Sequence, residues 1–334
     1  MGHGAYIFGC ETTRLTAEEK RFFAGAQPWG FILFTRNVNT PGQVHALCTE
    51  LRQAVGWNAP IMIDQEGGRV ARMAAPHWRE WLSPIEQVRA TGSNAARSMR
   101  LRYRLIGHEL CQVGIDCNCA PVADIATPAT HPVLANRCYG SRPDQVAEIA
   151  RAVADGLGDT GVLPVLKHMP GQGRADLDSH TELPVVSASL PILQTSDFAA
   201  FAALSDLPMA MTSHIVYSAI DGLPATFSPP VIDMMRKDIG FQGLLMTDDI
   251  SMQALSGTVG ERAPRALAAG CDLVLHCNGN LGEMQTIADA CGEIGAVSAE
   301  RAKRALAKRP MSGDFDIAAT RAELADLLAG TAHV

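Results

Sequence analysis

The chain lacks the long hydrophobic run of a membrane protein and the basic tract of a nucleic-acid binder. No uninterrupted apolar run in its 334 residues approaches the roughly 20 needed to cross a bilayer. The first ten residues, MGHGAYIFGC, have no basic region followed by a long apolar stretch, so we expect no secretory signal. The formal net charge is −7, and the densest basic run, RAKRALAKR at 301–309, has the spacing of one solvated helix face. We therefore expect neither a membrane nor a nucleic-acid partner.

Paired cysteine motifs are also missing. The nine cysteines are an odd number and none has C-x-x-C spacing, which favours reduced thiols in a cytoplasmic protein over a disulfide framework. Cys117 and Cys119 would share one face of a strand, but the sequence marks no partners for a metal site there. No G-x-G-x-x-G follows the first apolar run, which argues against a dinucleotide-binding domain. We predict no metal and no cofactor.

Short apolar runs alternate with amphipathic segments along the whole chain. The eight candidate strands are 5–9, 30–34, 60–64, 114–122, 162–167, 208–213, 243–248 and 271–277. Continuous apolar strands are typical of a parallel sheet covered on both faces. Helices are predicted between them, for example at 40–56, 143–161 and 228–240, the last beginning at Ser228 before two prolines.

Eight strand-plus-helix units favour a single-domain α/β fold, the (β/α)₈ TIM barrel, over an open sheet. We place the barrel in residues 1–280 and a C-terminal helical extension, packed on the outside of the barrel, in residues 281–334.

Charged side chains concentrate where the predicted strands end. In a (β/α)₈ barrel these ends form the active site, so their distribution indicates an enzyme. The selected residues are Asp64, Arg72, Arg137, Lys167, His168, His214 and Asp248.

Several of these strand-end residues allow two interpretations. Asp64 could instead form a structural ion pair, and Gly67-Gly68 indicates either close approach to a ligand or a tight turn. Asp249 is predicted to cap a helix beginning near Ile250, which leaves Asp248 to point inward. His214 either contacts the ligand or supports a residue that does.

The segment KHMPGQGRADLDSH at 167–180 is the most unusual stretch. A buried strand ends in Lys167-His168, and a glycine-rich loop then carries Asp176, Asp178 and His180. Buried charges and glycines both oppose folding, so this arrangement indicates chemistry rather than packing.

The residue types narrow the reaction. The sequence has neither a serine elbow nor an H-E-x-x-H motif. Glycoside hydrolysis fits carboxylates combined with proton donors, because a carboxylate attacks the anomeric carbon while an acid assists the leaving oxygen. An aldolase with Lys167 as its Schiff-base lysine is the competing interpretation. It leaves Asp248 and the loop at 178–180 without roles.

Seven segments resemble the single-domain bacterial β-N-acetylhexosaminidases of glycoside hydrolase family 3. They are ILFTRN (32–37), IDQEGGRVAR (63–72), APVAD (120–124), KHMPGQGRADLDSH (167–180), SHIVYS (213–218), FQGLLMTDDISM (241–252) and AGCDLVLHCN (269–278). The resemblance implies a (β/α)₈ fold and removal of terminal β-linked N-acetylglucosamine with retention of configuration. For cytoplasmic members it implies peptidoglycan recycling, with N-acetylglucosaminyl-1,6-anhydro-N-acetylmuramic acid fragments as substrates, with or without the stem peptide.

The resemblance also implies roles for individual residues. Asp248 matches the nucleophile, His180 the general acid/base and Asp178 the residue that orients it. The positions that match sugar-binding residues are Asp64, Arg72, Arg137, Lys167 and His168, to which we add His214 as a substrate-binding candidate.

The chain departs from the family pattern at two positions. Gln172 stands where a histidine is usual, and Cys138 stands where a serine is usual. Because neither position is the implied nucleophile or acid/base, activity is still expected. Two alternatives stay open: a β-glucosidase with little demand for the acetamido group, and a catalytically silent sugar-binding barrel. We expect a small-molecule sugar as partner and a monomer or weak homo-oligomer.

Overall fold

Eight parallel strands close into a barrel in the computed structural model, which describes residues 2–177, 182–309 and 315–330. The strands are β1 (Gly4–Phe8), β2 (Pro28–Leu33), β3 (Ile61–Ile63), β4 (Cys117–Asn118), β5 (Leu163–Met169), β6 (Met209–Thr212), β7 (Leu244–Asp249) and β8 (Leu273–His276). Each pairs with its neighbour in the chain, and β8 pairs with β1. The predicted (β/α)₈ barrel and all eight predicted strands are confirmed.

The fourth strand is much shorter than its predicted range of 114–122. Regular pairing covers only Cys117–Asn118. Gly114, with φ of 82°, still belongs to the turn after the preceding helix, and the Ala120 N–H turns back to the Asn118 carbonyl at 2.8 Å. The chain nevertheless continues beside β5, where the Lys167 N–H donates to the Pro121 carbonyl at 3.0 Å and Val122 forms an isolated bridge with Lys167.

Helices surround the barrel and follow the strands in alternation. Within the described ranges they are α1 (Ala17–Ala26), α2 (Pro41–Val55), α3 (Pro84–Thr91), α4 (Ala95–Gln112), α5 (Pro132–Ala135), α6 (Pro143–Gly158), α7 (Leu190–Thr195), α8 (Asp197–Ala202), α9 (Pro229–Lys237), α10 (Val259–Ala269), α11 (Leu281–Cys291), α12 (Ala296–Ala307) and α13 (Ile317–Ala329). Ser228 caps α9 as predicted, since its hydroxyl accepts the N–H of Val231 at 3.2 Å. None of these helices is long and apolar enough to cross a membrane.

Two apolar layers hold the barrel together. The inner layer fills the barrel with side chains such as Ile7, Met62, Leu163, Met209 and Leu273, all fully buried. A larger outer layer lies between the strands and the helices. Because the interior is packed, a ligand can bind only at an end of the barrel.

The segment predicted as a C-terminal extension is helical where the structure describes it. α11 packs on β1 and α10 and so occupies the position of the eighth barrel helix, which extends the barrel beyond residue 280. α12 lies across the N-terminal end of the barrel, where Ala302 and Ala305 join the inner apolar layer. Asp272, at the start of β8, ties this end together, accepting hydrogen bonds from Arg236 at 2.7 Å and Arg301 at 2.8 Å. The opposite end stays open for a site.

Candidate active site

A cavity of about 240 Å³ opens at the C-terminal end of the barrel. This volume lies below the range of about 300–1,000 Å³ usual for drug-sized ligands, so it suits a ligand of one ring. The lining residues are Ile32, Phe34, Asp64, Arg69, Val70, Arg72, Arg137, Lys167, His168, Gln172, Met211, Asp248, Asp249, Met252, Leu275 and Cys277. Six of the residues selected from the sequence therefore lie together.

Irregular strand ends explain why consecutive residues face the same cavity. Side chains alternate along a regular strand, so Lys167 and His168 would point to opposite faces. The pairing of β5 with β6 shifts in register between Leu166 and Met169. The side chains of Lys167 and His168 both line the cavity. β7 shifts in the same way against β8 between Met246 and Asp249, next to Asp248.

A chain of ion pairs crosses the floor of the cavity. Lys167 Nζ lies 2.8 Å from Asp64 Oδ1 and 2.7 Å from Glu66 Oε1. Arg72 Nη2 binds the other oxygen of Asp64 at 3.0 Å. Arg137 binds Glu66 with two parallel hydrogen bonds, Nε to Oε2 at 2.9 Å and Nη2 to Oε1 at 2.7 Å. Asp64 therefore forms ion pairs and also lines the cavity, so the two interpretations of this residue do not exclude each other.

The pairing sets the charge state of each member. Burial opposes ionisation of Asp64 and Glu66, but the neighbouring cations outweigh it and hold the pKa of Asp64 below its usual range. They lower the pKa of Glu66 to about 2. Burial likewise opposes the charge of Lys167, and Asp64 and Glu66 raise its pKa above the usual range. All three side chains are charged at neutral pH.

Asp124 holds His168 in place. Its carboxylate is fully buried, and Oδ2 lies 2.7 Å from His168 Nδ1. Its Oδ1 accepts the backbone N–H of His168 at 3.3 Å and that of Gln172 at 2.7 Å. Nε2 of His168 lies 3.4 Å from Arg137 Nη2. A carboxylate on Nδ1 fixes the tautomer and the orientation of the ring, so Asp124 controls what His168 presents to a ligand.

Sequence reasoning left Asp124 and Glu66 out of the selected residues. Both lie at strand ends, and Glu66 is two residues after Asp64, the spacing that places side chains on one face of an extended segment. That spacing was the available signal for Glu66. For Asp124 the signal was its position directly after an apolar run.

Asp249 does not cap a helix, so that prediction is wrong. Its Oδ1 accepts the N–H of Ser251 at 3.0 Å and that of Cys277 at 3.2 Å. The next helix, α10, begins only at Val259. Arg262 on that helix donates to the carbonyl of Ile250 at 3.0 Å, which stabilises turns in place of a helix. Asp249 thus fixes the turn after β7.

Comparison with known proteins identifies the family. The glycosyl hydrolase family 3 N-terminal domain matches residues 10–308. A β-hexosaminidase from Alkalilimnicola ehrlichii is 36% identical over 285 residues, which cover 82% of this chain and 81% of that protein. The chain belongs to glycoside hydrolase family 3.

Solved structures of family 3 members share the fold. NagZ from Neisseria gonorrhoeae has a TM-score of 0.86 and 29% identity, and the match covers 100% of this chain and 99% of that one. The same protein in complex with N-trifluoroacetyl-D-glucosamine has a TM-score of 0.84 and 29% identity, covering 99% and 98%. This chain is therefore a glycoside hydrolase with the (β/α)₈ fold.

His214 lies behind the family 3 site rather than in it. The side chain is fully buried and is not among the residues that line the cavity. Nδ1 lies 2.7 Å from Thr226 Oγ1, and Nε2 lies 3.0 Å from the carbonyl oxygen of Asp249. Burial lowers the pKa of His214 below its usual value, despite the nearby Asp248. These contacts favour the interpretation that His214 supports the site over the interpretation that it contacts the ligand.

The two departures from the family pattern have different surroundings. Gln172 lines the cavity, and its backbone N–H is bound by Asp124. Cys138 is buried away from the cavity, and its thiol donates to the Leu134 carbonyl at 3.4 Å.

Gly67 and Gly68 have φ of 97° and 58° and pack against Arg102 and Ser83, which favours the tight turn over ligand approach.

Two implied catalytic residues, Asp178 and His180, lie outside the described residues. Asp176, three residues beyond Gly173, is exposed. The ranges that are described contain no group of His, Cys, Asp and Glu arranged to hold a metal ion.

Proposed function

We propose that the protein is a retaining exo-β-N-acetylglucosaminidase. It releases terminal β-1,4-linked N-acetylglucosamine from N-acetylglucosaminyl-1,6-anhydro-N-acetylmuramic acid fragments, with or without the peptide, in cytoplasmic peptidoglycan recycling. The supporting observation is a one-ring cavity in which Asp248 is combined with a preformed set of charged donors and acceptors. A similar structure that binds N-trifluoroacetyl-D-glucosamine supports the choice of sugar.

The ion-pair chain supplies the binding groups in this proposal. Asp64, Arg72, Arg137, Lys167 and His168 form charge-assisted hydrogen bonds to the hydroxyl groups of the terminal sugar. Their partners hold them in place before the sugar arrives, so little reorganisation accompanies binding or reaction. Groups fixed in this way also orient the anomeric carbon toward the nucleophile.

Asp248 carries the first covalent step. Its carboxylate oxygen forms a bond to C1 of the sugar while the bond from C1 to the leaving oxygen breaks, and His180 donates a proton to that oxygen. Water then attacks C1, His180 takes its proton, and Asp248 leaves. Two displacements at C1 give net retention. Asp178 keeps His180 protonated for the first step, because a neighbouring carboxylate favours the imidazolium ion.

Release of 4-nitrophenol from its β-N-acetylglucosaminide tests the nucleophile. Asp248→Ala is expected to lower kcat on the order of 10³-fold, which corresponds to about 4 kcal/mol. Added azide should then restore turnover by a single displacement and give the α-azide. Asp233→Asn, on the exposed face of α9, is the matched control. Equal rates for Asp248→Ala and the wild type would remove Asp248 as the nucleophile.

A series of leaving groups tests His180. His180→Ala should slow turnover least for substrates with acidic leaving groups, which need little protonation. Equal loss across the series would contradict the acid role.

Substrate choice needs two further measurements. The ratio of rates on the aryl β-N-acetylglucosaminide and the aryl β-glucoside separates the proposed activity from a β-glucosidase. Binding of N-acetylglucosamine by calorimetry without any turnover would indicate a silent sugar-binding barrel. Release of N-acetylglucosamine from the anhydro disaccharide, with and without peptide, tests the recycling role.

A further inference from the structure

We infer that Glu66 is a positioning residue: it orients Arg137 and Lys167 toward the sugar without touching the sugar itself. The inference rests on the proposed function, because it takes both cations as sugar-binding groups. The Glu66 carboxylate is fully buried and is not among the residues that line the cavity. The two cations that it binds do line the cavity.

The geometry leaves donors for a ligand on both cations. A guanidinium has five N–H groups and an ammonium has three. Glu66 takes one hydrogen bond from Nε and one from Nη2 of Arg137, in the bidentate arrangement that fixes the plane of the group. Lys167 uses one N–H for Glu66 and another for Asp64. Because these bonds fix both heads, the remaining donors have set directions.

Glu66 is itself held by a buried support behind the cavity. Its carbonyl oxygen accepts hydrogen bonds from Arg102 and, at 3.3 Å, from the hydroxyl of Tyr103, both on α4. Arg102 is fully buried and also donates to Gln87 Oε1 on α3 at 2.9 Å. A side chain at Gly67 would collide with Arg102, so only glycine permits this approach. The outer helices therefore set the position of Glu66.

The charges around Glu66 indicate what its neutralisation does to Lys167. The titratable and charged groups that influence Glu66 or Lys167 are Asp64, Arg102, Tyr103, Cys119, Arg137, Cys138 and Tyr139. If Glu66 becomes neutral, Lys167 still pairs with the Asp64 carboxylate, and the positive charge of Arg137 stays nearby. Burial and the neighbouring guanidinium then lower the pKa of Lys167. Because the pKa of Lys167 lies above its usual range in the wild type, the lysine stays charged at neutral pH, and the expected loss is one of orientation.

Steady-state hydrolysis of 4-nitrophenyl β-N-acetylglucosaminide at pH 7, with KM and kcat measured separately, tests the inference. Glu66→Gln should raise KM and lower kcat/KM by about 10–100-fold, which is the size of the effect when a partner that orients a metal-binding side chain is lost. Glutamine places an NH2 group where a carboxylate oxygen accepts from Arg137, so the bidentate pair that fixes the guanidinium is lost. Glu66→Asp keeps the charge and both acceptor oxygens, so it should restore part of the lost kcat/KM.

Asp272→Asn is the matched control. Asp272 is also buried and binds two arginines, but it lies at the opposite end of the barrel. It should lower stability and leave KM and kcat unchanged.

The possible results separate the inference from the proposed function. A wild-type KM in Glu66→Gln would overturn the inference, as would equal kcat/KM in Glu66→Gln and Glu66→Asp. If Glu66→Gln does not fold, a wild-type KM in Glu66→Asp would also overturn it. If the wild type does not cleave the substrate, the proposed function fails; calorimetric binding of N-acetylglucosamine then tests Glu66, and equal affinity in Glu66→Gln overturns its role.

Discussion

Replacing Lys167 by methionine tests the ion-pair chain most directly. The ammonium is buried between Asp64 and Glu66, with Nζ–O distances of 2.8 Å and 2.7 Å. Methionine fills a similar volume without charge, so the two carboxylates lose their shared cation. Arg72 stays with Asp64 and Arg137 with Glu66. Removing one partner of a buried ion pair costs about 3–5 kcal/mol, which we expect as the loss of unfolding free energy at pH 7.

The loss should depend on pH with a defined sign. In the wild type the pKa of Glu66 falls from its usual 4.5 to about 2, which corresponds to about 3 kcal/mol of stability. Because this pKa is depressed, the contribution is present above about pH 4.5 and disappears as the pH falls toward 2. In Lys167→Met the two buried carboxylates repel, so one of them has a raised pKa and takes up a proton on folding. The variant therefore gains stability as the pH falls from 7 to 5.

Urea unfolding of both proteins between pH 5 and 8, at constant ionic strength, measures this difference. The gap in unfolding free energy should be largest at pH 8 and smallest at pH 5. Lys237→Met is the control, since Lys237 is an exposed lysine paired with Asp233 within one helix. A gap that is constant or that widens toward pH 5 would refute the argument. The kcat/KM of Lys167→Met should fall about 100-fold, through both KM and kcat.

Three further predictions concern support of the site and the closed end of the barrel. Asp124→Asn should lower kcat/KM on the aryl substrate about 10-fold, because His168 loses the charged partner of Nδ1; a change below about twofold would contradict this. Thr226→Val should cost about 1–3 kcal/mol in urea unfolding, because it removes the partner of Nδ1 of the buried His214; unchanged stability would contradict it. Ala305→Phe should overpack the inner apolar layer and cost about 1–3 kcal/mol without altering KM, and a raised KM would show that the two ends are coupled.

The fold could be predicted because its signal is local. Each barrel strand is a short apolar run, and the helices between them carry prolines and caps at their starts, as at Ser228. The predicted cap at Asp249 failed because Arg262, 13 residues further on, stabilises turns where the sequence favoured a helix start. The fourth strand is shorter than predicted because the chain turns at Gly114 and again at Ala120, whose N–H bonds to the Asn118 carbonyl. The apolar run does not mark either turn.

The site could be predicted only in part, because its connections are long-range. Side chains at strand ends were selected by position, and six of them line the cavity. The partners that fix them were not selected, since Glu66 binds Arg137 across 71 residues and Asp124 binds His168 across 44. No periodicity marks such pairs. The closure of the barrel creates them, so they become visible only with the strands in place.

The charge balance of the site argues for a neutral sugar as ligand. Four cations line the cavity, Arg69, Arg72, Arg137 and Lys167, and so do three carboxylates, Asp64, Asp248 and Asp249. Glu66 and Asp124 add two buried carboxylates behind them. These four positive and five negative side chains sum to −1. A phosphorylated or carboxylated ring would gain no net attraction there, whereas hydroxyl groups can both donate to the carboxylates and accept from the cations. The paired charges thus act as fixed hydrogen-bonding groups. Because cations and carboxylates are nearly equal in number, many of them can lie close together around one small cavity.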